Sequence, residues 1–467
     1  MKTILFAVFF FALALSAFAD LPTHCVIDQV LGEWTFSLTK DTYDNTVVKK
    51  YPLDSTPEFT ETLKVTLAEP DVATLADGTK GRWTLIYDEG FDIFVGNKIY
   101  FAFFNYTKSG SVVTSHCDRT FTGWYHDDQV GAKNWGAFRG VKSGANGITT
   151  YVEDIKPKQT NAIFRNDVDY INKINNIQSE WTAAYQPQFE GMPLEKLIRM
   201  SGTKTVTREK RLAHKAHMDR MRPHRELRNT VSVSDFPKEF DWRNVSGVDY
   251  VSPVRDQASC GSCYIFAAAG MFEARTRIKS KLQKRDIVST QEIVSCSDYS
   301  QGCDGGFPYL VSKYAEDFGT VREECYPYEG FTGKCKASKC PSEKRDYQTE
   351  YKYVGDYYGG SDEASMMKDV YENGPQAVGF EVYRDLMSYR SGVYSHKKTN
   401  ELDGSHPWEE TNHAVLVVGW GELNGVKYWA VKNSWNQRWG NKGYFFIKRG
   451  TDECGIESLA VSAVPVL

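Results

Sequence analysis

The clearest chemical signal in the sequence is the run Cys-Gly-Ser-Cys-Tyr at residues 260–264, which begins a mostly apolar, helix-like segment. Gly261 and Ser262 suit a tight turn followed by a helix cap. Cys263 is therefore expected in the first helical turn, where free backbone N–H groups and the helix dipole favour a thiolate. The motif predicts a nucleophilic cysteine. The alternative is that Cys260 and Cys263 are both structural.

A thiolate nucleophile needs a group that holds the proton and a second group that orients the first. Of the nine histidines, His413 stands out because it begins a buried-type strand. Asn433 ends the next predicted strand, and Trp435 follows it, where an indole could shield the contact from water. His413 alone would more often be a hydrogen-bonded core residue. Together with Cys263, however, this set predicts nucleophilic catalysis.

The elements that must position these groups differ along the chain. From about residue 235, predicted helices come first and strands later, which indicates an α+β unit of two lobes. Residues 20 to about 140 instead alternate apolar and polar residues, and a hairpin is predicted over 91–106. Such short strands favour an antiparallel barrel or sandwich. Cys25 and Cys117 are the only cysteines there and are expected to pair.

The region between these two units is predicted to be partly helical, over residues 167–181 and 193–200. Residues 204–228 then hold nine Lys/Arg against three acidic residues and are interpreted as a solvated, protease-accessible linker. His214, His217 and His224 lie there with loose metal-like spacing. No metal site is predicted, because no cysteine or carboxylate completes the ligand set. The segment also lacks the aromatic residues of a nucleic-acid surface.

The remaining signals concern the route of the chain through the cell. Residues 1–19 have the charged start, short apolar core and small-residue end of a signal peptide, whose removal would leave Asp20 as the mature N-terminus. No other stretch could cross a membrane. Secretory transport would let disulfides persist, and Asn105 and Asn244 are possible glycan acceptors. A net charge of −4 gives no sign of a nucleic-acid partner.

In their order along residues 236–467, these motifs resemble the papain family of cysteine peptidases: Gln257, Cys-Gly-Ser-Cys-Tyr, Thr-Asn-His-Ala-Val and Lys-Asn-Ser-Trp. The resemblance implies that Cys263 attacks the scissile carbonyl and that His413 carries the proton to the leaving amine. Asn433 would orient His413, and Trp435 would pack over their contact. Gln257 and the backbone N–H of Cys263 would form the oxyanion hole.

The same resemblance extends to the substrate backbone, the disulfides and two departures from the family pattern. Gly306 would hydrogen-bond substrate backbone. Asn436 stands where the family usually has Gly, and Tyr264 where Trp is commoner, but neither touches a proton-transfer atom, so activity is expected. Cys454 would stay free. The implied disulfides are Cys260–Cys303, Cys296–Cys335 and Cys325–Cys340.

The resemblance is closer still to those family members that release dipeptides, and it then covers the N-terminal β region. There the barrel is an exclusion domain, and the carboxylate of Asp20 would bind the α-ammonium of the substrate. A chloride ion would lie at the base of the S2 pocket, held by the backbone of Phe307 and the hydroxyls of Tyr309 and Tyr353. Ala137 occupies the place of a second barrel disulfide.

The sequence therefore predicts an α+β chain with a papain-like two-lobed peptidase domain, a helical lobe plus a β-barrel lobe, behind an antiparallel β-barrel exclusion domain. The expected units are a signal peptide at 1–19, the exclusion domain at 20–139, an activation propeptide with the basic linker at 140–234 and the peptidase domain at 235–467. A cut between heavy and light chains is expected near 397–405.

The expected function is that of a cysteine dipeptidyl peptidase that acts on free N-termini through a thioester and is made as a zymogen. Expected partners are peptide and protein substrates, activating peptidases and further copies of the chain in a tetramer, without an organic cofactor. A lysosome or similar acidic vacuole, or secretion, is the expected destination. One alternative is a papain-like endopeptidase. The other, an inactive binding or matrix protein, is disfavoured because the four catalytic candidates are all present.

Overall fold

The computed structural model describes residues 21–41, 44–144, 147–152, 162–200, 208–228, 230–397 and 411–467. The predicted signal peptide, Asp20 and nearly all of the predicted cut region at 397–405 lie outside the described residues.

The N-terminal part is a closed barrel of eight antiparallel strands, as the alternating pattern predicts. The ring runs β1–β6, β8 and β9, and β9 pairs again with β1. β1 buries alternate residues, so one face packs inside the barrel. Two short helices and two further strands complete this part. The bounds are α1 (Ile27–Val30), β1 (Gly32–Leu38), α2 (Val47–Lys50), β2 (Glu61–Ala68), β3 (Val72–Leu75), β4 (Lys80–Ile86), β5 (Gly90–Val95), β6 (Lys98–Ser109), β7 (Val112–Thr120), β8 (Gly123–Asp127), β9 (Trp135–Lys142) and β10 (Ile148–Val152).

Two local predictions for the barrel can be compared directly with its strands. The hairpin predicted over 91–106 is present as β5 and β6. The disulfide Cys25–Cys117 joins the segment before α1 to β7. The expected domain boundary at residue 139 falls inside β9, and β10, which the sequence pattern did not indicate, pairs with β7. The barrel strands thus continue past that boundary.

The middle region is more ordered than the sequence pattern predicts. It contains α3 (Val168–Ile177), β11 (Trp181–Ala183), α4 (Leu194–Met200) and α5 (Arg208–Arg228). The helical prediction for 167–181 is right for α3 but wrong at Trp181, which pairs with a strand of the C-terminal part. The interpretation of the basic stretch as a solvated linker does not fit residues 208–228, which form a continuous helix packed on the protein, with Met221 fully buried; residues 204–207 lie outside the described residues.

The C-terminal part is a mixed α/β unit around a sheet of nine strands. β11 joins its edge, and the order is β11-β15-β18-β17-β16-β14-β19-β13, with β12 paired to β16. Helix α6 packs against β14 and β16 and is buried along almost its whole length. The bounds are β12 (Phe240–Asp241), α6 (Cys263–Lys279), α7 (Thr290–Cys296), α8 (Pro308–Asp317), β13 (Gln348–Tyr353), α9 (Glu363–Asn373), β14 (Gln376–Val382), β15 (Tyr389–Tyr394), β16 (Thr411–Leu423), β17 (Val426–Lys432), β18 (Tyr444–Lys448) and β19 (Leu459–Pro465).

Barrel and α/β unit share one continuous hydrophobic core. At their contact, the buried carboxylate of Asp92 on β5 accepts hydrogen bonds from the hydroxyls of Tyr309 (3.1 Å) and Tyr351 (2.7 Å). The ammonium of Lys313 lies 3.9 Å from the same carboxylate, which compensates its buried charge. Apolar burial and paired charges therefore fix the barrel against the α/β unit.

Candidate active site

Cys263 is the first residue of α6, as the capping pattern predicts. The disulfide Cys260–Cys303 and a 2.9 Å hydrogen bond from the Gly261 N–H to the Cys303 carbonyl hold the turn before the helix. Ser262 occupies the N-cap position, but its side chain makes no capping bond to the helix. The thiol of Cys263 is unbridged and buried. The disulfide, rather than a side-chain cap, therefore fixes the position of this thiol.

The imidazole of His413 lies on β16 and is held by the neighbouring strand. Its Nε2 is 2.8 Å from Oδ1 of Asn433, which also accepts the Ser434 N–H at 2.8 Å. Because that oxygen only accepts, Nε2 carries the proton and Nδ1 is the basic nitrogen. Nδ1 is buried and has no hydrogen-bond partner within the described part of the chain. The indole of Trp435 stacks on the ring at 4.8 Å and shields the contact, as expected.

Gln257 is fixed by its neighbours so that its amide nitrogen is available as a donor. Its backbone N–H donates to the Ser434 carbonyl at 3.0 Å, and the Ser434 hydroxyl donates to its Oε1 at 2.6 Å. The Nε2 group therefore faces away from Ser434, toward the start of α6, where it donates to the Cys260 carbonyl at 2.9 Å. This is the orientation that an oxyanion donor near Cys263 requires.

Beside Cys263 and His413 lies a mostly apolar pocket, and the sequence-predicted pocket residues line it. Its lining includes Gly306, Phe307, Tyr309 and Tyr353. A Cβ at Gly306 would lie 2.7 Å from the ring of Tyr264, so only glycine fits here. The hydroxyl of Tyr264 donates to the Gly302 carbonyl at 3.0 Å. Tyr264, one of the two departures from the family pattern, thus lines the pocket itself, beside Gly306.

One pocket residue comes from the barrel and was missed by sequence reasoning. Tyr87 lies in the turn between β4 and β5 and has a φ of 52°, in the left-handed region that a bulky residue rarely adopts. Its ring stacks on Phe307 at 4.3 Å, and its hydroxyl would lie 3.2 Å from a Cβ at Gly379. An aromatic residue at the end of a strand pattern is typical of a barrel core, so only the tertiary structure reveals Tyr87 as a pocket residue.

Comparison with known proteins decides the family. The family described as "Papain family cysteine protease" matches residues 236–464, and that described as "Cathepsin C exclusion domain" matches residues 20–142. Cathepsin C of Schistosoma mansoni is 37% identical over 463 residues, which cover 96% of each chain. The chain belongs to the papain family of cysteine peptidases. It is a hydrolase with a papain-like fold behind a barrel exclusion domain, as predicted.

Other relatives of this papain-family peptidase match a smaller share of the chain. Pro-cathepsin H of Bos taurus is 35% identical over 235 residues, covering 50% of this chain and 66% of that protein. The solved structure of procathepsin B S9 from Trypanosoma congolense aligns with a TM-score of 0.50 at 26% identity, over 64% of this chain and 98% of that one.

The site of this papain-family peptidase is covered by residues 162–200 of its own chain. The Met200 carbonyl accepts hydrogen bonds from Gln257 Nε2 at 2.8 Å and from Trp435 Nε1 at 3.2 Å. The ring of Phe189 packs edge-on against Trp435 at 6.1 Å. Upstream, β11 adds an antiparallel strand to β15 and buries Trp181. The candidate oxyanion donor is therefore occupied by a backbone carbonyl in this form.

Burial dominates the protonation of the candidate pair in this covered form. It raises the pKa of Cys263 to about 12, against backbone hydrogen bonds that lower it. It lowers the pKa of His413 to about 4, against the hydrogen bond to Asn433. Burial therefore favours the neutral thiol and the neutral imidazole in this covered form, against the thiolate that the helix start favours.

The residues expected to hold chloride lie together, but their hydroxyls differ. Tyr309 and Tyr353 stack at 4.7 Å. The Tyr309 hydroxyl already donates to Asp92, as described above. The Tyr353 hydroxyl is buried and has no hydrogen-bond partner among the described residues. An anion at the pocket base therefore fits the donor of Tyr353, whereas Tyr309 would first have to leave a carboxylate.

Other sequence-predicted positions lie away from the pocket. Asn436 has a φ of 68°, which explains why glycine suits this position and why asparagine, tolerant of the left-handed region, can replace it. Asn244 is exposed and Asn105 half-buried on β6. Ala137 is buried in β9.

Three disulfides connect cysteines of the C-terminal part. The further disulfides are Cys260–Cys303, Cys296–Cys335 and Cys325–Cys340, and Cys454 is free. Within the described ranges there is no group of three His, Cys, Asp or Glu residues that could hold a metal, and no helix is long and apolar enough to cross a membrane.

Proposed function

We propose that this peptidase removes dipeptides from the free N-terminus of peptides and proteins. The observation that carries the proposal is the position of Tyr87: a residue of the exclusion barrel lines the pocket next to Cys263 and His413. A barrel in that place leaves little room for substrate residues beyond the pocket. The similarity to a cathepsin C over nearly the whole chain supports the same function.

The site residues have the chemistry for acyl transfer through a thioester. The Cys263 sulfur would attack the scissile carbonyl, and Nδ1 of His413 would take the thiol proton and pass it to the leaving amine as the C–N bond breaks. Asn433 would hold the ring, and Gln257 with the Cys263 N–H would bind the oxyanion, each donor contributing about 3 kcal/mol. Water would then hydrolyse the thioester and restore the thiol.

The nucleophile is tested by replacing its sulfur. Cys263→Ser should lower kcat by roughly 10⁴-fold or more, because a serine hydroxyl is a far weaker nucleophile beside this imidazole. Far-UV circular dichroism and the melting temperature should stay close to those of the parent chain. Activity that persists in a folded variant would remove Cys263 from the mechanism.

Recognition of the free amine is assigned to Asp20, which would become the N-terminal residue once the signal peptide is removed. The Cys25 N–H donates to the Asp88 carbonyl at 3.0 Å, which anchors Cys25 beside the turn that carries Tyr87. Asp20 precedes Cys25 by five residues, a span of at most about 17 Å, which would allow its carboxylate to reach the pocket mouth.

The dipeptidyl activity is tested with matched substrates that differ only at the α-amine. A dipeptide amide with a free N-terminus should be cleaved with a kcat/KM at least about 100-fold higher than its N-acetylated form, because acetylation removes the charge and adds bulk. Equal rates would identify an endopeptidase instead. Extending the mature chain by one residue before Asp20 should lower kcat/KM, whereas an unchanged value would exclude Asp20.

The covered site supports synthesis as a zymogen. Activating peptidases would have to cut residues 162–200 away before Gln257 could bind an oxyanion. Passage through the secretory pathway to a lysosome or similar acidic compartment fits the four disulfides. A chloride ion would be held by Tyr353 and the backbone of Phe307 and would supply negative charge at the pocket base. The tetramer and the glycans on Asn105 and Asn244 stay predictions.

A further inference from the structure

Helix α5 lies where the exclusion barrel meets the peptidase domain and contacts both. Its basic residues face acidic residues of the barrel. Arg228 makes a bidentate pair with Asp71, with both N–O distances at 2.7 Å. Arg220 hydrogen-bonds to both Asp28 and Glu69. These carboxylates come from two places in the barrel sequence, α1 and the turn between β2 and β3, so the helix binds a surface rather than a single loop.

Helix α5 is also held by the peptidase domain. The ring of His217 stacks on Tyr358 at 4.5 Å, and its Nε2 is 2.9 Å from the Tyr358 carbonyl. Arg225 donates to the Ser361 carbonyl at 3.0 Å. A Cβ at Gly359 would lie within 3.2 Å of His217 and Met221, so only glycine permits this approach.

The peptidase loop under α5 is itself bonded to the barrel. The Tyr358 N–H donates to the hydroxyl of Thr84 on β4 at 2.9 Å. The ring of Tyr358 lies 5.3 Å from Tyr87, the barrel residue of the pocket. The loop is therefore enclosed between the barrel on one side and α5 on the other, directly behind the pocket.

The contacts of α5 follow helical spacing. His217, Met221 and Arg228 lie on the face that contacts both domains, at intervals of four and seven residues. Arg222 lies on another face and forms an ion pair with Asp219 of the same helix at 2.7 Å. Leu227 is 83% exposed. The basic residues thus have two roles. One set binds the seam, the line along which the barrel meets the peptidase domain, and another set faces solvent.

We propose that the seam between the barrel and the peptidase domain is a binding surface for a basic helix, and that α5 occupies it as a strap that holds the two domains together. Its arginines neutralise a group of barrel carboxylates. The face of the helix that carries His217 covers the peptidase loop that contains Tyr358. This proposal is independent of the reaction at Cys263.

Hydrogen exchange of the full chain tests the strap, in a Cys263→Ser background so that the chain cannot cut itself. Arg228→Glu and Arg220→Glu each place a negative charge against barrel carboxylates. Each should speed exchange of the α5 amides about tenfold or more. The Tyr358 amide, which bonds the loop to Thr84, should exchange faster in parallel. Arg222→Glu is the matched control and should leave both regions unchanged.

Two outcomes would overturn the proposal. If Arg222→Glu speeds exchange as much as the seam variants do, the charges at the seam have no specific role. If the seam variants speed exchange of the α5 amides but leave the Tyr358 amide as protected as before, the helix binds the seam without stabilising the contact between the two domains. Faster exchange of both regions in the two seam variants alone would establish the strap.

Discussion

The covering segment (residues 162–200) and helix α5 both precede the peptidase domain, but different contacts dominate in holding them. The covering segment is bound mainly through a strand pair, a buried tryptophan and a backbone carbonyl at Gln257, with two ion pairs beside them. Helix α5 is bound largely by arginines whose side chains are partly exposed and which pair with barrel carboxylates. The first segment therefore blocks chemistry and the second joins domains. The difference teaches that the region between two domains can contain two segments that respond to different conditions.

Removing the buried tryptophan should separate the two segments most clearly. Trp181→Ala deletes a side chain that is 3% exposed and should weaken docking of the covering segment by about 3–5 kcal/mol. Labelling of Cys263 in the full chain by an active-site-directed electrophile should rise about 100-fold or more. Exchange of the α5 amides should not change.

Tyr185→Ala is the control, since Tyr185 lies in the same segment and is 49% exposed. Unchanged labelling in Trp181→Ala would show that the covering segment is not what keeps the thiol buried. Faster exchange of α5 in the same variant would show that the covering segment and α5 are coupled, which would contradict the view that they are held independently.

Acid should act on the covering segment through His413. The pKa of this imidazole is lowered to about 4 by burial, so the covered form favours the neutral ring. That contribution is full above pH 6.5 and is lost as the pH falls from about 6.5 to about 4, a change of at most about 3 kcal/mol. Cleavage of the covering segment by an added protease in Cys263→Ser should therefore speed up over this range.

The control for acid is Cys263→Ser combined with His413→Asn, which removes the titrating ring and leaves the other ionisable groups in place. The pH dependence between 6.5 and 4 should become flatter in this variant. A profile identical to that of Cys263→Ser would assign the acid response to other groups and leave His413 without a part in it.

Salt should have the smallest effect of these three changes, and it should act mainly on the binding of helix α5. The side chain of Arg228 is 43% exposed, and pairs of this kind contribute about 0–1 kcal/mol. Raising NaCl to 1 M shortens the screening length to about 3 Å, so exchange of the α5 amides should rise by about two- to fivefold. The covering segment should respond less. It makes two ion pairs with the peptidase domain, Glu180–Lys397 at 2.7 Å and Asp167–Arg384 at 3.2 Å, but its strand pair and buried tryptophan do not depend on salt. Equal responses would contradict the division by chemistry.

Much of the barrel and of the site follows from sequence patterns because those patterns reflect local physics. The hairpin over 91–106 shows strand alternation around a glycine turn, and Cys263, His413 and Asn433 lie at element ends that the pattern also predicts. Helix α5 was not predicted from the sequence because its composition is that of a solvated linker. It is stabilised by carboxylates about 150 or more residues away, which no local window contains.

The same limit explains the other differences. Trp181 reads as part of a helix, but its backbone pairs with β15, more than 200 residues later. Tyr87 and Met200 carry no motif, since each acts through its place in the folded chain: one as a ring in a pocket, the other as a carbonyl that any residue possesses. The acidity expected of Cys263 from its helix position was outweighed by burial beneath the covering segment.

The shared core has a consequence for any attempt to exchange parts of this protein. Because Tyr87 and His413, 326 positions apart, line one pocket and apolar packing runs unbroken between their domains, substrate choice is not a property that either half owns. A hybrid with the barrel of one relative and the peptidase domain of another would combine pocket residues that do not fit each other, even with every catalytic side chain intact. To transfer the substrate selectivity of one relative to another, both domains would have to be transferred together.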